Sequence, residues 1–263
     1  MRVEVFEVRC RTALSRSGIY GVDYSLNPYF GCEHSCVYCY VPRMMPHRLA
    51  GRVWGGFVEV KVNMPRVLSK ELAKIRRGRV LVSSITDPYQ PTERRYGLTR
   101  SCLELLVKRG LQVVVLTKST LFLRDLDVME LGDVELGVTI TTLRAHRELE
   151  PRSPPPVERL RALREASERG IKTFLFLGPL IPGLVDDDVE GILGMAKEAG
   201  VQYVIIDKLN LKGDVEEAVS RALSRELSQI FRAKLSSYKW LSEVKARIVE
   251  LCRELNLPYD FCF

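Results

Sequence analysis

The chain has 263 residues, 46% of them hydrophobic and 28% charged, a balance that excludes a disordered tail, a collagen-like fibre and a bundle of membrane spans. That length allows one large α/β domain or two small ones, with enough chain to bury a substantial core. The net charge of +7 favours an anionic partner such as nucleic acid, although Arg and Lys are spread along the chain rather than gathered.

Residues 2–8 alternate apolar and polar and read as a short strand; with their acids they are not a signal peptide. No apolar run reaches the length of a membrane span, so a cytoplasmic protein without membrane contact is expected. Residues 9–17 are polar, and residues 22–27 read as the first strand of a repeating unit. A cysteine-bearing loop follows, then a short helix to about His47, broken by Gly51, Gly55 and Gly56. Residues 57–62 alternate strictly, as a half-buried strand does. Asn63 caps a helix with Leu68, Leu72 and Ile75 on one face and Gly78 as its stop.

From there the pattern repeats. Strands are predicted at 80–82, 112–116, 134–140, 172–177 and 203–206, and helices at 99–109, 121–130, 157–169 and 186–199. Gly110, Gly170 and Gly200 serve as helix stops. Strand and helix alternate roughly every thirty residues, the βαβ signature of a parallel sheet. Beyond Asp207 the pattern changes. Residues 215–255 read as helical, with Trp240, Val244, Ile248, Leu251 and Cys252 in one apolar stripe. Basic residues lie along the opposite face, read as a helical cap with solvated charges in preference to a nucleic-acid surface. The last six residues form a short apolar tail expected to dock.

Three of the seven cysteines, Cys32, Cys36 and Cys39, form a C-x-x-x-C-x-x-C array. Gly31, Glu33, His34 and Ser35 make the stretch a polar loop rather than a packed element. An odd cysteine count with such clustering points to metal binding in a reducing compartment, not to a disulfide framework. Thiolates are soft donors that select iron–sulfur clusters, zinc or copper(I). Self-contained sites want four protein ligands, and no fourth is evident apart from His34, which would complete a zinc site. An open fourth position is what a catalytic cluster needs.

The array resembles the cluster loop of the radical S-adenosylmethionine (SAM) enzymes, and Tyr38 before the last cysteine fits that pattern. The longer run Asn27-Pro28-Tyr29-Phe30-Gly31-Cys32-Glu33-His34-Ser35-Cys36-Val37-Tyr38-Cys39-Tyr40 is similar to the spore photoproduct lyase-like branch, also called DNA repair photolyase-like. The resemblance covers about residues 20–210. It implies an α/β fold, a partial (β/α)6 radical SAM barrel, here with a C-terminal helical extension. The expected organisation is an N-terminal strand and extension at 1–19, the barrel at 20–210 and a helical cap at 211–263. It further implies a [4Fe–4S] cluster held by Cys32, Cys36 and Cys39, with SAM on the fourth iron. One electron from the reduced cluster would cleave SAM to methionine and a 5′-deoxyadenosyl radical, which takes a hydrogen atom from substrate. A reductant such as ferredoxin or flavodoxin would be a partner, and DNA or RNA the candidate substrate, as in DNA photolesion cleavage.

Parallel α/β sheets place sites at the C-terminal ends of strands. Thr86 and Asp87 end the second barrel strand and by resemblance lie near the methionyl amine; Asp87 can equally cap a turn before Pro88. Lys118, after the third strand, is the candidate partner of the SAM carboxylate or an exposed lysine. Thr139 and Thr141 share a face by the period of two and offer hydroxyls to SAM, or reflect strand propensity alone. Arg152 holds cofactor or substrate, or pairs with Glu150. Tyr40, the candidate catalytic residue, relays a hydrogen atom or packs by the cluster. The lyase uses a cysteine donor near the end of the strand after the cluster loop; here that region is Ser83-Ser84-Ile85-Thr86, and no cysteine occurs between Cys39 and Cys102. Cys102 reads as core, and Cys10, Cys252 and Cys262 as structural or as joining the site. The alternative function is a zinc-stabilised, non-catalytic nucleic-acid-binding protein. It would not need polar groups at successive strand ends.

Overall fold

A computed structural model describes residues 3–263. Its strands in chain order are β1 (Glu4–Val8), β2 (Leu14–Arg16), β3 (Tyr24–Leu26), β4 (Tyr29–Phe30), β5 (Phe57–Lys61), β6 (Arg79–Val82), β7 (Gln112–Thr117), β8 (Val134–Ile140), β9 (Lys172–Leu180), β10 (Tyr203–Lys208) and β11 (Tyr259–Phe261). Eight of them form one sheet in the order β11-β10-β9-β8-β7-β6-β3-β2. Within it β3, β6, β7, β8, β9 and β10 run parallel, the six strands of an incomplete barrel.

Val, Leu and Ile dominate these strands because a parallel sheet is covered on both faces. Strand β8 is buried along its whole length. Outside it pack the helices Met64–Leu72, Leu98–Lys108, Pro156–Glu168 and Val185–Glu198, each with its apolar stripe inward. Leu103, Leu136, Leu163, Ile192 and Ile206 belong to one continuous core. In-register pairing, such as Val113↔Val134 through Thr117↔Val138, brings the C-terminal ends of neighbouring strands to one rim.

The sequence reading needs correction in several places. The strand expected at 57–62 is present as β5, and it joins β1 in parallel and β4 antiparallel in a separate three-stranded sheet. The polar stretch 9–17 contains β2, which closes one edge of the main sheet antiparallel to β3. In place of a single helix at 121–130 there is a 3-10 turn, Leu121–Asp125, and a short helix, Leu126–Met129. Residues 215–255 fold as three helices, Val215–Ala222, Arg225–Leu235 and Trp240–Glu254. The last of these buries Trp240, Val244, Ile248, Leu251 and Cys252, the expected stripe. The tail docks as β11, parallel to β10 from Val204↔Tyr259 to Ile206↔Phe261. No helix among the described residues is long and apolar enough to cross a membrane.

Candidate active site

A cavity of about 800 Å³ opens at the rim where the strands end. Cys32, Cys36 and Cys39 line it with Tyr38 and Tyr40, and Thr86, Asp87, Lys118 and Thr139 face it from the strand ends. These nine residues suggested by the sequence share one space; Thr141 and Arg152 are not on its lining. Strand β8 ends at Ile140, so the period of two no longer applies, and Thr141 turns inward to donate to the Gly178 carbonyl at 2.7 Å.

The cysteine loop is built from tight turns, with Ser35 N donating to Cys32 O at 3.3 Å and Cys39 N to Cys36 O at 3.1 Å. Gly31 enters it at φ +86°, and a Cβ there would stand 2.3 Å from the Phe57 carbonyl oxygen, so only glycine fits. Loop 83–93 clamps it from the other side. Gln90 Nε2 donates to Gly31 O at 3.1 Å, and Glu33 N donates to Gln90 Oε1 at 2.9 Å. The Asn27 side chain accepts from Ser84 N at 3.0 Å and Ile85 N at 3.2 Å, joining the end of β3 to that of β6.

The thiols are close enough to feel one another. Burial pushes Cys32 well above the usual thiol range, and Asp87, Cys36 and Cys39 add to it. Burial likewise pushes Cys36 up to about 12, against the pull of Lys118. As they stand, no three His, Cys, Asp or Glu side chains among the described residues meet around one metal position. Holding a cluster therefore requires thiol rotation and deprotonation, the second of which a bound metal drives. The donor set fits an iron–sulfur cluster: three thiols on one wall, beside buried and unpartnered Ser83 Oγ and Thr86 Oγ1. His34 lines the same cavity, and its Nδ1 stands 3.2 Å from Asp87 Oδ2.

Asp87 is buried and multiply bonded. Its Oδ1 accepts from Tyr89 N at 2.8 Å and Thr117 Oγ1 at 2.6 Å, and its Oδ2 from Lys118 N at 2.7 Å. Burial alone would raise its pKa; His34, Thr117 and the Lys118 amide outweigh that and hold it at about 2. The turn-capping role expected before Pro88 is therefore present, and Asp87 also locks the end of β6 to that of β7.

Behind the wall lies an ion-pair network. Arg159 and Glu150, exposed by 0% and 1%, pair directly. Glu150 also accepts from Tyr38 Oη, and the Thr141 hydroxyl oxygen stands 3.0 Å from its Oε1. Half-buried Lys118 stands with Nζ 5.6 Å from the Tyr38 ring centroid, and its charge helps hold the Glu150 carboxylate down against burial. Glu150 thus pairs with Arg159, not with Arg152 as sequence proximity suggested; Arg152 donates to the Gly55 carbonyl at 2.6 Å. Sequence reasoning missed Trp54, Asp207 and Lys208 among the cavity residues. Asp207 carried a signal, being a polar group at a strand end. Cys262, expected as structural or as joining the site, lines the cavity, brought there by the pairing of β11 with β10.

A family model described as the Radical SAM superfamily matches residues 26–196. An uncharacterized protein of Methanocaldococcus jannaschii is 34% identical over 218 residues, covering 82% of this chain and 81% of that one. A protein of Pseudomonas phage M6 named a radical SAM Nalpha-GlyT isomerase is 25% identical, over 68% of this chain and 38% of its own length. Among solved structures, spore photoproduct lyase complexed with a dinucleoside spore photoproduct superposes with a TM-score of 0.75 at 13% identity, covering 98% of this chain and 82% of that one.

Proposed function

The chain belongs to the radical SAM superfamily and is a radical SAM enzyme with a [4Fe–4S] cluster and SAM as cofactors; from that premise we propose that it acts on a base in nucleic acid. The cluster, when bound and reduced, supplies the electron that cleaves SAM to a hydrogen-abstracting 5′-deoxyadenosyl radical. The chain's own residues position and shield that chemistry. Cys32, Cys36 and Cys39 are the ligands in this reading, which leaves one iron for SAM. Lys118 offers the positive charge for the SAM carboxylate, and Thr86 and Thr139 offer hydroxyls. Asp87 holds two strand ends in place more than it contacts the cofactor, since both its oxygens are engaged. Residues 20–210 carry this machinery, and 211–263 close it. A low-potential reductant is the protein partner.

The observation that carries the reading is the convergence of the three cysteines and the polar strand ends on one cavity. At about 800 Å³ it lies toward the upper end of ordinary ligand pockets, with room for SAM and a base-sized group together. Lys208 and Lys212 on its lining favour a phosphate-bearing substrate. The dinucleoside spore photoproduct bound by the structural neighbour supports the same class. Ser83 and Ser84 stand where the lyase has its cysteine donor, so the reaction differs from lesion cleavage by that route. Tyr40, on the cavity wall and 39% exposed, is the candidate hydrogen-atom relay. The zinc-bound, non-catalytic alternative is set aside, because the family is one of enzymes with an iron–sulfur cluster.

The test is anaerobic turnover with SAM, dithionite and oligonucleotides bearing intact or irradiated bases. Formation of 5′-deoxyadenosine that rises with one oligonucleotide class, with mass change in its bases, supports the reading. Stimulation by peptides and not by any oligonucleotide would refute the substrate class.

A further inference from the structure

A second cavity, of about 600 Å³, lies at the other rim of the main sheet. Gly78 and Gln112, which line it, stand just before β6 and at the start of β7, so it sits at the N-terminal strand ends. Among the described residues its lining carries four cations, Arg16, Lys74, Arg76 and Arg77, and one carboxylate, Asp23. Asp23 Oδ2 already accepts from Arg79 N at 2.8 Å. A helix C-terminus favours cations only about its last turn, and Lys74, Arg76 and Arg77 lie beyond Leu72, where the helix Met64–Leu72 ends. The floor of the cleft is tightly packed. Arg16 stacks on the Tyr24 ring, 4.7 Å from its centroid. A Cβ at Gly78, where φ is +143°, would meet Tyr24 Cε2 at 2.9 Å.

Arg16 and Tyr24 are also the last pair of the β2–β3 hairpin, and its turn, residues 17–23, carries Ile19 and Tyr20. Ile19 is 48% exposed and Tyr20 98%. The turn is closed by its own hydrogen bonds, Ser17 N to Asp23 O and Val22 N to Ile19 O, each 3.1 Å. An aromatic ring is thus held out in water beside a group of cations.

We propose that this hairpin tip and cleft bind single-stranded nucleic acid flanking the base that enters the active-site cavity. The inference rests on the nucleic-acid reading above. The cations hold phosphates, the arginines through forked donors, and Tyr20 stacks on a base. Charge selects the occupant: a strand repeats one anion per nucleotide, which suits four cations set against one engaged carboxylate. The two sites lie at opposite ends of β6. From Gly78 on the cleft to Ser83 on the active-site cavity is about 17 Å, at about 3.3 Å per residue of extended chain. A strand at the duplex spacing of about 3.4 Å covers that in about five nucleotides.

The experiment is fluorescence anisotropy of a labelled single-stranded dodecamer titrated with the reconstituted, anaerobic holoenzyme at several salt concentrations. Wild type is compared with the double variant Arg76→Ser/Arg77→Ser, with Tyr20→Ala and with Arg164→Ser. All four substituted side chains are exposed, so circular dichroism should show the same fold throughout. The double variant should lower the slope of log K against log salt by about 1.4, about 0.7 for each lost contact. Tyr20→Ala should bind about tenfold more weakly with the slope unchanged. Arg164→Ser, on the outer helix Pro156–Glu168, should match wild type. Binding and slope equal to wild type in both the double variant and Tyr20→Ala would overturn the surface and leave the substrate class standing. Unchanged oligonucleotide binding with loss of phosphatidylserine-vesicle binding in the same variants would make it a membrane contact and likewise overturn the proposal. No oligonucleotide binding by wild type would overturn the inference together with the substrate class on which it rests.

Discussion

Replacing Arg159 by Met should be among the most damaging single changes outside the cavity wall. The guanidinium is fully buried, donates from Nε to Pro154 O at 2.7 Å and from Nη1 to Thr139 O at 2.9 Å, and pairs with Glu150. Methionine keeps much of the volume and none of the donors. It leaves the Glu150 carboxylate buried with Lys118 as its remaining cation and strips two carbonyls of their partner. Removing one member of a buried pair costs about 3–5 kcal/mol. For a chain of this size each kcal/mol lowers Tm by about 2–4 °C, so a fall of roughly 10 °C is expected. Thermal unfolding followed by circular dichroism measures it. Arg164→Met is the control, because its i,i+4 pair with Glu168 is about two-thirds exposed on both sides and should change little. The pH dependence gives a second check. In the wild type burial raises the Glu150 pKa, but Arg159 and Lys118 outweigh it and hold the group below its ordinary value. That contribution is complete above the unfolded carboxylate pKa of about 4.3 and is lost as pH falls through the lowered folded value. Without Arg159 burial wins, and protonation relieves the stranded charge. The deficit of the variant should therefore be largest near neutral pH and shrink on acidification. A loss under about 1 kcal/mol, or one indifferent to pH, would refute the argument.

Three further outcomes follow from the site. Cys32→Ala, Cys36→Ala and Cys39→Ala should each abolish iron retention on reconstitution, while Cys102→Ala, buried in the core, should keep it; iron and sulfide assays decide. Lys118→Met should weaken SAM binding by about 10–100-fold, the worth of one charge-assisted hydrogen bond, and equilibrium dialysis showing less than a twofold change would remove it from the carboxylate site. Gly31→Ala should destabilise the protein by about 2 kcal/mol or more, since the new Cβ meets the Phe57 carbonyl at a positive φ; urea unfolding within error of wild type would refute this.

What the sequence made legible was local. The cysteine array, the buried Val/Leu/Ile strands and the glycine-stopped helices each state their role within a few residues, so the six parallel strands and most of the cavity wall could be located. Long-range pairing was hidden. The pairing of β1 with β5, and of β11 with β10, depends on which edge is left free, and edge strands carry little pattern of their own. The partner of Glu150 was misjudged for the same reason: Arg152 is nearer in sequence, but the helix Pro156–Glu168 turns Arg159 onto the sheet. Thr141 was misjudged because strand periodicity was carried one residue past the strand's end. Trp54, in the stretch broken by Gly51, Gly55 and Gly56, carried no motif of its own.

The central claim is that Cys32, Cys36 and Cys39 hold a SAM-binding [4Fe–4S] cluster. The most direct measurement is iron and sulfide analysis of anaerobically purified protein, with EPR of the dithionite-reduced sample with and without SAM. About four irons per chain and a reduced-cluster signal that SAM perturbs are the expected result. One zinc and no iron after reconstitution, or a cluster signal indifferent to SAM, would contradict it.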